Sequence, residues 1–537
     1  MGQREMYKKM MGRPNFIIIH TDQQRYDCVN ISGRRPEIYT PYQDSIANMG
    51  MRFTSCYSTC PVCIPQRLSL LTGQSPQKHG VYDNVGIPNL DLETTFPMEM
   101  KKGGYKTACI GRTMHTYPFD NPYGFETYLP GDPVSNCKAT DGFYQFIDKY
   151  APEGSGGMDG NGAYTNSRFA APYHLENRFH QTMWATNQAI DYIRERKEDS
   201  KPFFLMLGYF APHTPFNPPK EWMDYYMGME LPDRRTIADY DEEPQTNGHP
   251  ISDYCKIEGE ELRRIQAAYY GNISFLDGQI GRILNEILIL PNTYVIVTSD
   301  HGEMLGDHYR MHKNVPYQGA VHTTLMLYGP GIIGDSVCDT PIAWQDIMPT
   351  VLNMADLPVP EYCDGLSFAK TIFGENDVDD AGQPKKEREY LHGECCIGKV
   401  RFGGYEKQQQ SNCDIVTNWC YEQGCHYITD GQYKYIWFTQ TGREQLFDLE
   451  KDYEEKYDLS KNPEYLDLLE LLRKKLIQAL TERPEGFTDG KQLISGKEES
   501  QLSPEMHKVA EQRILDGQPV AYYAKSMQIM MGKKQGL

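Results

Sequence analysis

The sequence predicts an α/β protein: a large mixed, mostly parallel β-sheet sandwiched by helices, followed by a smaller C-terminal α+β domain. Three observations predict this arrangement. Short, continuous apolar runs recur along the first two thirds of the chain, as in strands that are covered on both faces. Amphipathic helical patterns separate these runs, and strands that alternate with helices form parallel sheets. After about residue 375 the apolar runs give way to a polar segment, a hairpin pattern and a charged helix.

The predicted strands of the large sheet are continuous apolar runs. They lie at Asn15–His20, Tyr105–Gly111, Pro202–Phe210, Thr293–Asp300 and Thr323–Gly329. The clearest helix between them extends from Leu262 to Ile287, where apolar residues recur every three or four positions. Polar clusters follow the strands, and parallel sheets bind their ligands at the carboxyl ends of strands. We therefore expect the functional site at this edge of the sheet.

The change of pattern near residue 375 divides the chain into three parts. We predict a large α/β domain at 13–385, a small α+β domain at 386–500, and a tail at 501–537 that is a candidate arm for a homo-oligomer. In the small domain, Cys425–Phe438 has the pattern of a hairpin that turns at Asp430-Gly431. A charged helix is predicted at about Glu464–Glu482.

The charge of the chain restricts its partners. The 537 residues carry a formal net charge of −19, with 73 Asp and Glu against 54 Lys and Arg. Proteins that bind nucleic acid or anionic membranes need a basic face, so the composition argues against both classes. No apolar run approaches the roughly 20 residues that span a bilayer, and the charged N-terminal segment has no signal-peptide pattern. We therefore expect a cytoplasmic protein, with an exported protein trimmed of its leader as the alternative. One basic pocket in such a protein can still hold an anionic substrate.

The segment Pro61–Gly73, PVCIPQRLSLLTG, combines residues suited to anion chemistry. Pro65 fits the first turn of a helix, which places Cys63 at a helix N-terminus, where partial positive charge favours anions. Arg67 follows four residues later on the same helix face, and its guanidinium can donate two hydrogen bonds to a tetrahedral oxyanion. A redox or metal-binding pair of Cys60 and Cys63 is the alternative, although no second CxxC and no histidine pair lies nearby at zinc spacing.

Two polar pairs lie at the ends of predicted strands. Asp22 and Gln23 follow the first strand, and Asp300 and His301 stand at the end of the strand that begins at Thr293. Carboxylate, amide and imidazole groups in this position suit a divalent ion. Oxygen ligands favour Ca²⁺ or Mg²⁺, and an imidazole also admits Mn²⁺. Each of these residues taken alone is more often a cap or a surface group.

The C-x-P-x-R core that begins at Cys63, with the L-T-G triplet at 71–73, resembles the signature of the sulfatase family, in which the cysteine is converted to formylglycine after translation. Gln66 stands where the family usually has a serine. Other segments, from the first strand to the C-terminal region, also resemble the family, so the resemblance covers most of the chain. It implies an alkaline-phosphatase-like fold and a formylglycine-generating enzyme as a partner during maturation.

The resemblance implies one divalent metal ion. Its expected ligands are Asp22, Gln23, Asp300, His301 and the modified Cys63. Ca²⁺ is the first expectation, with Mn²⁺ and Mg²⁺ as alternatives.

The resemblance also implies catalytic side chains. His213 occupies the family position in PHTP, and His115 ends the segment GYKTACIGRTMH, in which Arg112 stands for the family's lysine. Lys313 lies in the segment that follows the second metal pair, and its neighbour His312 competes for the same place.

The implied reaction is hydrolysis of a sulfate monoester of a small molecule or a saccharide. The resemblance implies that the hydrated formylglycine attacks sulfur, while Arg67, Lys313 and the ion balance the developing charge. His213 or Lys313 protonates the leaving alcohol, and His115 accepts the proton whose removal releases sulfate.

Two other functions stay open at this point. Gln23 and His301 also resemble the phosphonate monoester hydrolases of the same superfamily, so the alternative is a phosphonate monoester or phosphodiester hydrolase with the same nucleophile. A non-catalytic or redox protein is the third hypothesis. Substrate specificity is expected in the loops at 128–177 and 224–253, and the acidic second loop suits a monosulfated substrate or one with a cationic end.

Overall fold

The structure is a computed structural model that describes residues 12–84, 94–114, 121–133, 138–157, 160, 162, 167–197, 199, 201–244, 254–290, 292–375, 386–396, 424–497, 500 and 502–515. Its strands are β1 Asn15–Asp22, β2 Met51–Phe53, β3 Cys56–Tyr57, β4 Lys106–Gly111, β5 Thr127–Pro130, β6 Phe203–Pro212, β7 Thr293–Ser299, β8 Leu325–Tyr328, β9 Ser336–Cys338, β10 Ile342–Ala343, β11 Leu391–Cys396, β12 Gly424–Thr429, β13 Tyr433–Phe438 and β14 Glu444–Asp448. Its α-helices are α1 Pro41–Met49, α2 Cys63–Thr72, α3 Pro76–His79, α4 Phe96–Lys102, α5 Gly142–Tyr150, α6 Gln181–Arg196, α7 Lys220–Met227, α8 Gly259–Ile287, α9 Gln318–Val321, α10 Ile347–Met354, α11 Ala369–Phe373, α12 Leu466–Leu480 and α13 Pro504–Leu515. Short 3₁₀ turns lie at Tyr26–Cys28, Asn30–Ser32, Asn177–Phe179, Asp307–Tyr309, Trp344–Asp346 and Pro463–Tyr465.

The large sheet has eight strands in the order β5-β4-β6-β1-β7-β8-β2-β9. Neighbours from β5 to β7 are parallel, whereas β8 is antiparallel to both of its neighbours. The predicted mixed, mostly parallel sheet is therefore confirmed. The sequence does not predict β2 and the edge strand β9, because three residues each are too few to show an apolar run.

Strand β1 shows how the sheet is covered on both faces. Successive side chains of a strand point to opposite faces, so Phe16 and Ile18 pack into one apolar cluster with α10. Ile17 and Ile19 pack into another with α6 and α8. The continuous apolar run in the sequence thus reflects two covered faces, and the helix predicted from Leu262 to Ile287 is α8.

The carboxyl ends of the central strands meet at one edge of the sheet. Strand β1 pairs with β6 and β7, and Asp22 is registered with Pro212, while Thr21 is registered with Ser299. Asp22 therefore lies beside the residues that follow these two strands. This register brings together segments that are far apart in the sequence, and it sets the position of the candidate site.

The C-terminal region contains a separate antiparallel sheet of four strands, in the order β11-β12-β13-β14. The predicted hairpin is β12–β13, with Gly431 in the turn at a φ of 95°. One face of the sheet packs against α12, and the other packs against residues of the large region such as Tyr57 and Val321. The predicted small α+β unit is present, and it closes on the large one.

The predicted domain boundaries are not tested by these elements. Residues 376–385 and those after position 515 lie outside the described part of the chain, so the boundary near residue 385 and the candidate oligomer arm stay predictions. Among the described residues, no helix combines the length and the apolar character needed to cross a membrane.

Candidate active site

Cys63 lies at the N-terminus of helix α2. The backbone N–H groups in the first turn of a helix have no partner within the helix. Here the N–H of Ile64 donates to the Asn84 side-chain oxygen at 2.9 Å. The helix ends at Gly73, whose φ of 66° is favourable for glycine. Cys63 is only 2% exposed, so its thiol is enclosed at the positive end of a buried helix.

Four side chains gather their donor atoms around the Cys63 thiol. Asp22, Cys63, Asp300 and His301 each offer one ligand atom, and all of these atoms lie within 4.8 Å of one another. The Cys63 sulfur is 3.3 Å from His301 Nε2 and 3.9 Å from Asp22 Oδ1. His301 Nδ1 lies 3.0 Å from the Gly302 carbonyl; a proton on Nδ1 leaves the Nε2 lone pair directed into the cluster. Two carboxylates and an imidazole at this spacing fit a divalent metal ion.

The charges around Cys63 are arranged to favour an anion there. Burial and the Asp22 carboxylate would raise the pKa of the Cys63 thiol, but Lys313 and His301 outweigh them and lower it below its ordinary value. The same positive surroundings would stabilise an oxygen anion carried by a modified side chain at this position.

Two arginines, Arg67 and Arg112, contact the Asp22 carboxylate through its Oδ2 atom. Arg67 donates to Asp22 Oδ2 at 3.0 Å and to Asp300 Oδ2 at 2.9 Å, and all three side chains are fully buried. Arg112 also donates to Asp22 Oδ2, and it donates to both oxygens of Asp132. Burial would raise the pKa of Asp22, but the guanidinium groups of Arg112 and Arg67 hold it well below its usual range. Asp22 Oδ1 lies on the side of the cluster, while Oδ2 is occupied by the arginines.

A chain of hydrogen bonds connects Gln23, Lys313 and His213. Lys313 Nζ donates to Gln23 Oε1 at 2.6 Å and lies 3.1 Å from His213 Nε2. Burial and the Lys313 charge lower the pKa of His213 well below its ordinary value. Its Nδ1 lies 2.7 Å from the Thr214 carbonyl, which fits a neutral ring whose Nε2 accepts from Lys313.

The structure therefore brings together most of the residues singled out from the sequence. The assembled set comprises Asp22, Gln23, Cys63, Arg67, His213, Asp300, His301 and Lys313. His115 lies outside the described residues. Arg67 makes its observed contacts with carboxylates and with the Thr113 carbonyl, and its expected contact with the substrate stays a prediction. Cys60 donates to the Tyr82 carbonyl, so its thiol and that of Cys63 have different partners.

Comparison with known proteins assigns this site to a family. A family model described as Sulfatase matches residues 14–357, a range that contains the whole cluster. The chain belongs to the sulfatase family. This sulfatase is 35% identical over 507 residues to an arylsulfatase of Clostridium perfringens (strain 13 / Type A), covering 90% of this chain and 98% of the relative. It is 26% identical over 465 residues to a choline-sulfatase of Rhizobium meliloti (strain 1021), covering 84% and 83% of the two chains.

The solved structures agree with the fold of a sulfatase. A phosphonate monoester hydrolase of Agrobacterium radiobacter superposes with a TM-score of 0.68 at 22% identity, covering 88% of this chain and 96% of that one. The predicted alkaline-phosphatase-like fold is confirmed, and the sulfatase is a sulfuric ester hydrolase. This membership contradicts the hypothesis of a non-catalytic or redox protein. The family implies a metal ion and a modified cysteine, and the buried donor set of this sulfatase fits both.

Sequence reasoning missed three side chains of the sulfatase site. Glu303 lies two residues after His301 and is fully buried, with a hydrogen bond from Gln23 Nε2. Asp132 fixes Arg112, and Asn84 caps helix α2. Glu303 could have been found as a carboxylate close to the metal pair. Asp132 and Asn84 carry no such signal, because only the folded chain brings them to the site.

Proposed function

We propose that the protein hydrolyses a sulfate monoester of a small molecule or a saccharide, using a formylglycine made from Cys63. The observation that carries this proposal is the position of the Cys63 thiol, in van der Waals reach of His301 and beside two carboxylates, at the N-terminus of a buried helix. A formylglycine-generating enzyme is the maturation partner that this residue requires. Formylglycine supplies a hydrated aldehyde as the nucleophile, which no unmodified side chain offers.

We propose that Asp22, Asp300, His301 and the residue at position 63 hold one divalent ion, with Gln23 as a further ligand. The two carboxylates favour Ca²⁺, with Mg²⁺ as an alternative, and the imidazole also admits Mn²⁺. The ion would lower the pKa of an oxygen bound to it and would offset negative charge on the substrate. Gln23 Oε1 already accepts from Lys313, so its second lone pair is the one available to an ion.

Lys313 is the proposed proton donor to the leaving alcohol. Its ammonium group has three N–H bonds, and Gln23 and His213 accept two of them. The third is available to the substrate. His213 is poorly suited to donate, because burial and Lys313 keep its pKa well below the ordinary value and its Nε2 faces the ammonium. His115 is proposed to accept the proton whose removal releases sulfate, and Arg67 to fix the carboxylates.

The proposed dependence of hydrolysis and stability on a metal ion is tested by removing the ion. Chelation followed by dialysis is expected to abolish hydrolysis and to lower the melting temperature, because the ion neutralises buried carboxylates. Saturating metal at about 1,000 times its Kd stabilises a protein by about 4 kcal/mol. Adding back Ca²⁺, Mn²⁺ or Mg²⁺ separately, with activity and melting temperature both measured, identifies the ion. Greater recovery with Mn²⁺ than with Ca²⁺ would reverse the proposed preference.

The substrate class is tested by parallel assays. Protein produced together with the modifying enzyme is expected to hydrolyse an aryl sulfate with a higher kcat/KM than an aryl phosphonate monoester. The mass of the peptide that contains residue 63 reports the conversion to formylglycine in the same sample. An unmodified thiol with no hydrolysis would contradict the proposal. A large phosphonate preference would favour the alternative, a phosphonate monoester or phosphodiester hydrolase, which Gln23 and His301 support.

A further inference from the structure

Glu303 is a buried carboxylate beside the site for which the sequence predicted no role. Its side chain is fully buried. One oxygen, Oε1, accepts hydrogen bonds from the backbone N–H groups of Leu305 and His312 at 2.9 and 2.5 Å. The other, Oε2, accepts from the side-chain amide of Gln23. Glu303 therefore joins the end of strand β1 to both ends of the loop that leads to Lys313.

This loop, residues 303–314, has an unusual backbone. Non-glycine residues with positive φ cost energy and persist where the surroundings hold them in place. In the loop they are Leu305, His308, Tyr309, His312 and Asn314, with φ between 52° and 75°. Arg25 Nη1 adds a second restraint, since it donates to the carbonyls of Glu303 and Met304. The position of Lys313 thus depends on contacts that keep a strained loop in one conformation.

Glu303 also decides which way the Gln23 amide faces. An amide has one end that donates and one that accepts. Because a carboxylate can only accept, Glu303 selects the NH₂ group of Gln23, and the amide oxygen is then directed to Lys313 Nζ at 2.6 Å. Gln23 itself has a φ of 74°, so its backbone is also held by its surroundings.

We propose that Glu303 is a positioning residue for Lys313. It fixes the backbone on the two sides of the loop, and through the Gln23 amide it places the hydrogen-bond acceptor that holds the Lys313 ammonium group. This inference rests on the proposed function, in which Lys313 protonates the leaving alcohol. Glu303 touches neither substrate nor the cluster around Cys63, and it acts only through Gln23 and the loop.

Exchanging the two side chains tests the proposal. In Glu303→Gln the amide oxygen keeps accepting from Leu305 and His312, but its NH₂ group meets that of Gln23, which then turns its own NH₂ towards Lys313. We expect kcat/KM for an aryl sulfate, assayed at saturating metal, to fall on the order of 100-fold. Metal affinity is expected to fall as well, because the turned amide no longer offers its oxygen to the ion. Gln23→Glu alone places two carboxylates together and is expected to lower both activity and melting temperature.

The double variant Gln23→Glu with Glu303→Gln restores the donor–acceptor pairs. The new amide at position 303 donates to the new carboxylate at position 23, and that carboxylate accepts from Lys313. The double variant is expected to recover activity by at least about tenfold over Glu303→Gln, and to recover the melting temperature lost in Gln23→Glu. Glu394→Gln is the matched control: Glu394 is also buried and pairs with Arg483 at 2.8 Å, and this variant is expected to retain wild-type kcat/KM.

Three results would overturn the proposal. They are wild-type activity in Glu303→Gln, a loss of activity in that variant that saturating metal restores, and a double variant no more active or stable than the single ones. Comparing the melting temperatures of the wild type, the two single variants and the double variant needs no substrate. This comparison therefore tests the contact between Gln23 and Glu303 even without hydrolysis. If the wild-type protein cleaves no aryl sulfate, the proposed function fails. If it is active and the exchange recovers nothing, only the role of Glu303 fails.

Discussion

Cys63→Ala is expected to lower kcat/KM for an aryl sulfate by about 10⁴-fold or more, because it removes the residue proposed to become the nucleophile. Cys63→Ser is expected to be equally inactive in turnover but to differ in its product. A serine oxygen can attack sulfur once, yet it has no second hydroxyl whose deprotonation would expel sulfate. The serine variant should therefore accumulate one sulfate ester on the peptide that contains residue 63, which intact-peptide mass spectrometry detects.

Cys60→Ala is the matched control for these variants. Cys60 lies three residues before Cys63, is also fully buried, and donates to the Tyr82 carbonyl. Hydrolysis close to the wild-type rate in Cys60→Ala would agree with a single essential cysteine. Equal loss in Cys60→Ala and Cys63→Ala would instead favour a function of the two thiols as a pair. Unchanged hydrolysis in Cys63→Ala would refute the proposed nucleophile.

Arg67→Met is expected to lower the free energy of unfolding by about 3–5 kcal/mol, the usual result of breaking a buried ion pair on one side. Arg67 bridges the carboxylates of Asp22 and Asp300 with no solvent exposure of any of the three. Removing the guanidinium leaves two neighbouring buried carboxylates with less positive charge. Urea unfolding at neutral pH, with metal removed from both proteins, measures this loss, and hydrolysis is expected to fall with it.

The loss in Arg67→Met has a defined pH dependence. Burial opposes ionisation of Asp22, but Arg112 and Arg67 keep its pKa in the folded protein well below the ordinary value. A depressed carboxylate pKa contributes stability above the unfolded-state value of about 4, and this contribution is lost as the pH falls further. The difference between wild type and variant should therefore be greatest near neutral pH and should shrink under acidic conditions.

Arg52→Met provides the control for Arg67→Met. Arg52 pairs with Asp335 at 3.0 Å, but the two side chains are 28% and 75% exposed. Exposed ion pairs contribute only about 0–1 kcal/mol, so this variant should unfold at nearly the wild-type urea concentration. A loss of similar size in both variants would contradict the importance of burial at Arg67.

Much of the large sheet could be predicted because its signal is local. The apolar run at Asn15–His20 and the three-to-four spacing from Leu262 to Ile287 each reflect burial of a single element, and both elements are present. Strands β2 and β9 escaped prediction because three residues carry no pattern of their own. Their pairing depends on neighbours from distant parts of the chain.

In the candidate site, too, the features with a local sequence signal could be predicted, and the contacts between distant segments could not. The candidate metal-binding pairs and the motif at Cys63 are visible in the sequence, since each lies within a few residues of a strand end or a helix start. The partners of Arg67 could not be predicted from its helix position, which pointed to a substrate anion. In the folded chain Arg67 reaches Asp22 and Asp300, because the register of β1 and β7 places both carboxylates over helix α2.

The kind of chemistry could be inferred from local sequence patterns: an α/β scaffold, a cysteine at a helix N-terminus, and candidate metal ligands at strand ends. The contacts that hold those groups in place follow from the folded chain. Glu303 orients Gln23 and the loop of Lys313, and Arg112 with Asp132 holds the far side of Asp22. The physical reason is that buried charges need partners within hydrogen-bond distance, and the fold supplies those partners from segments that the sequence keeps apart.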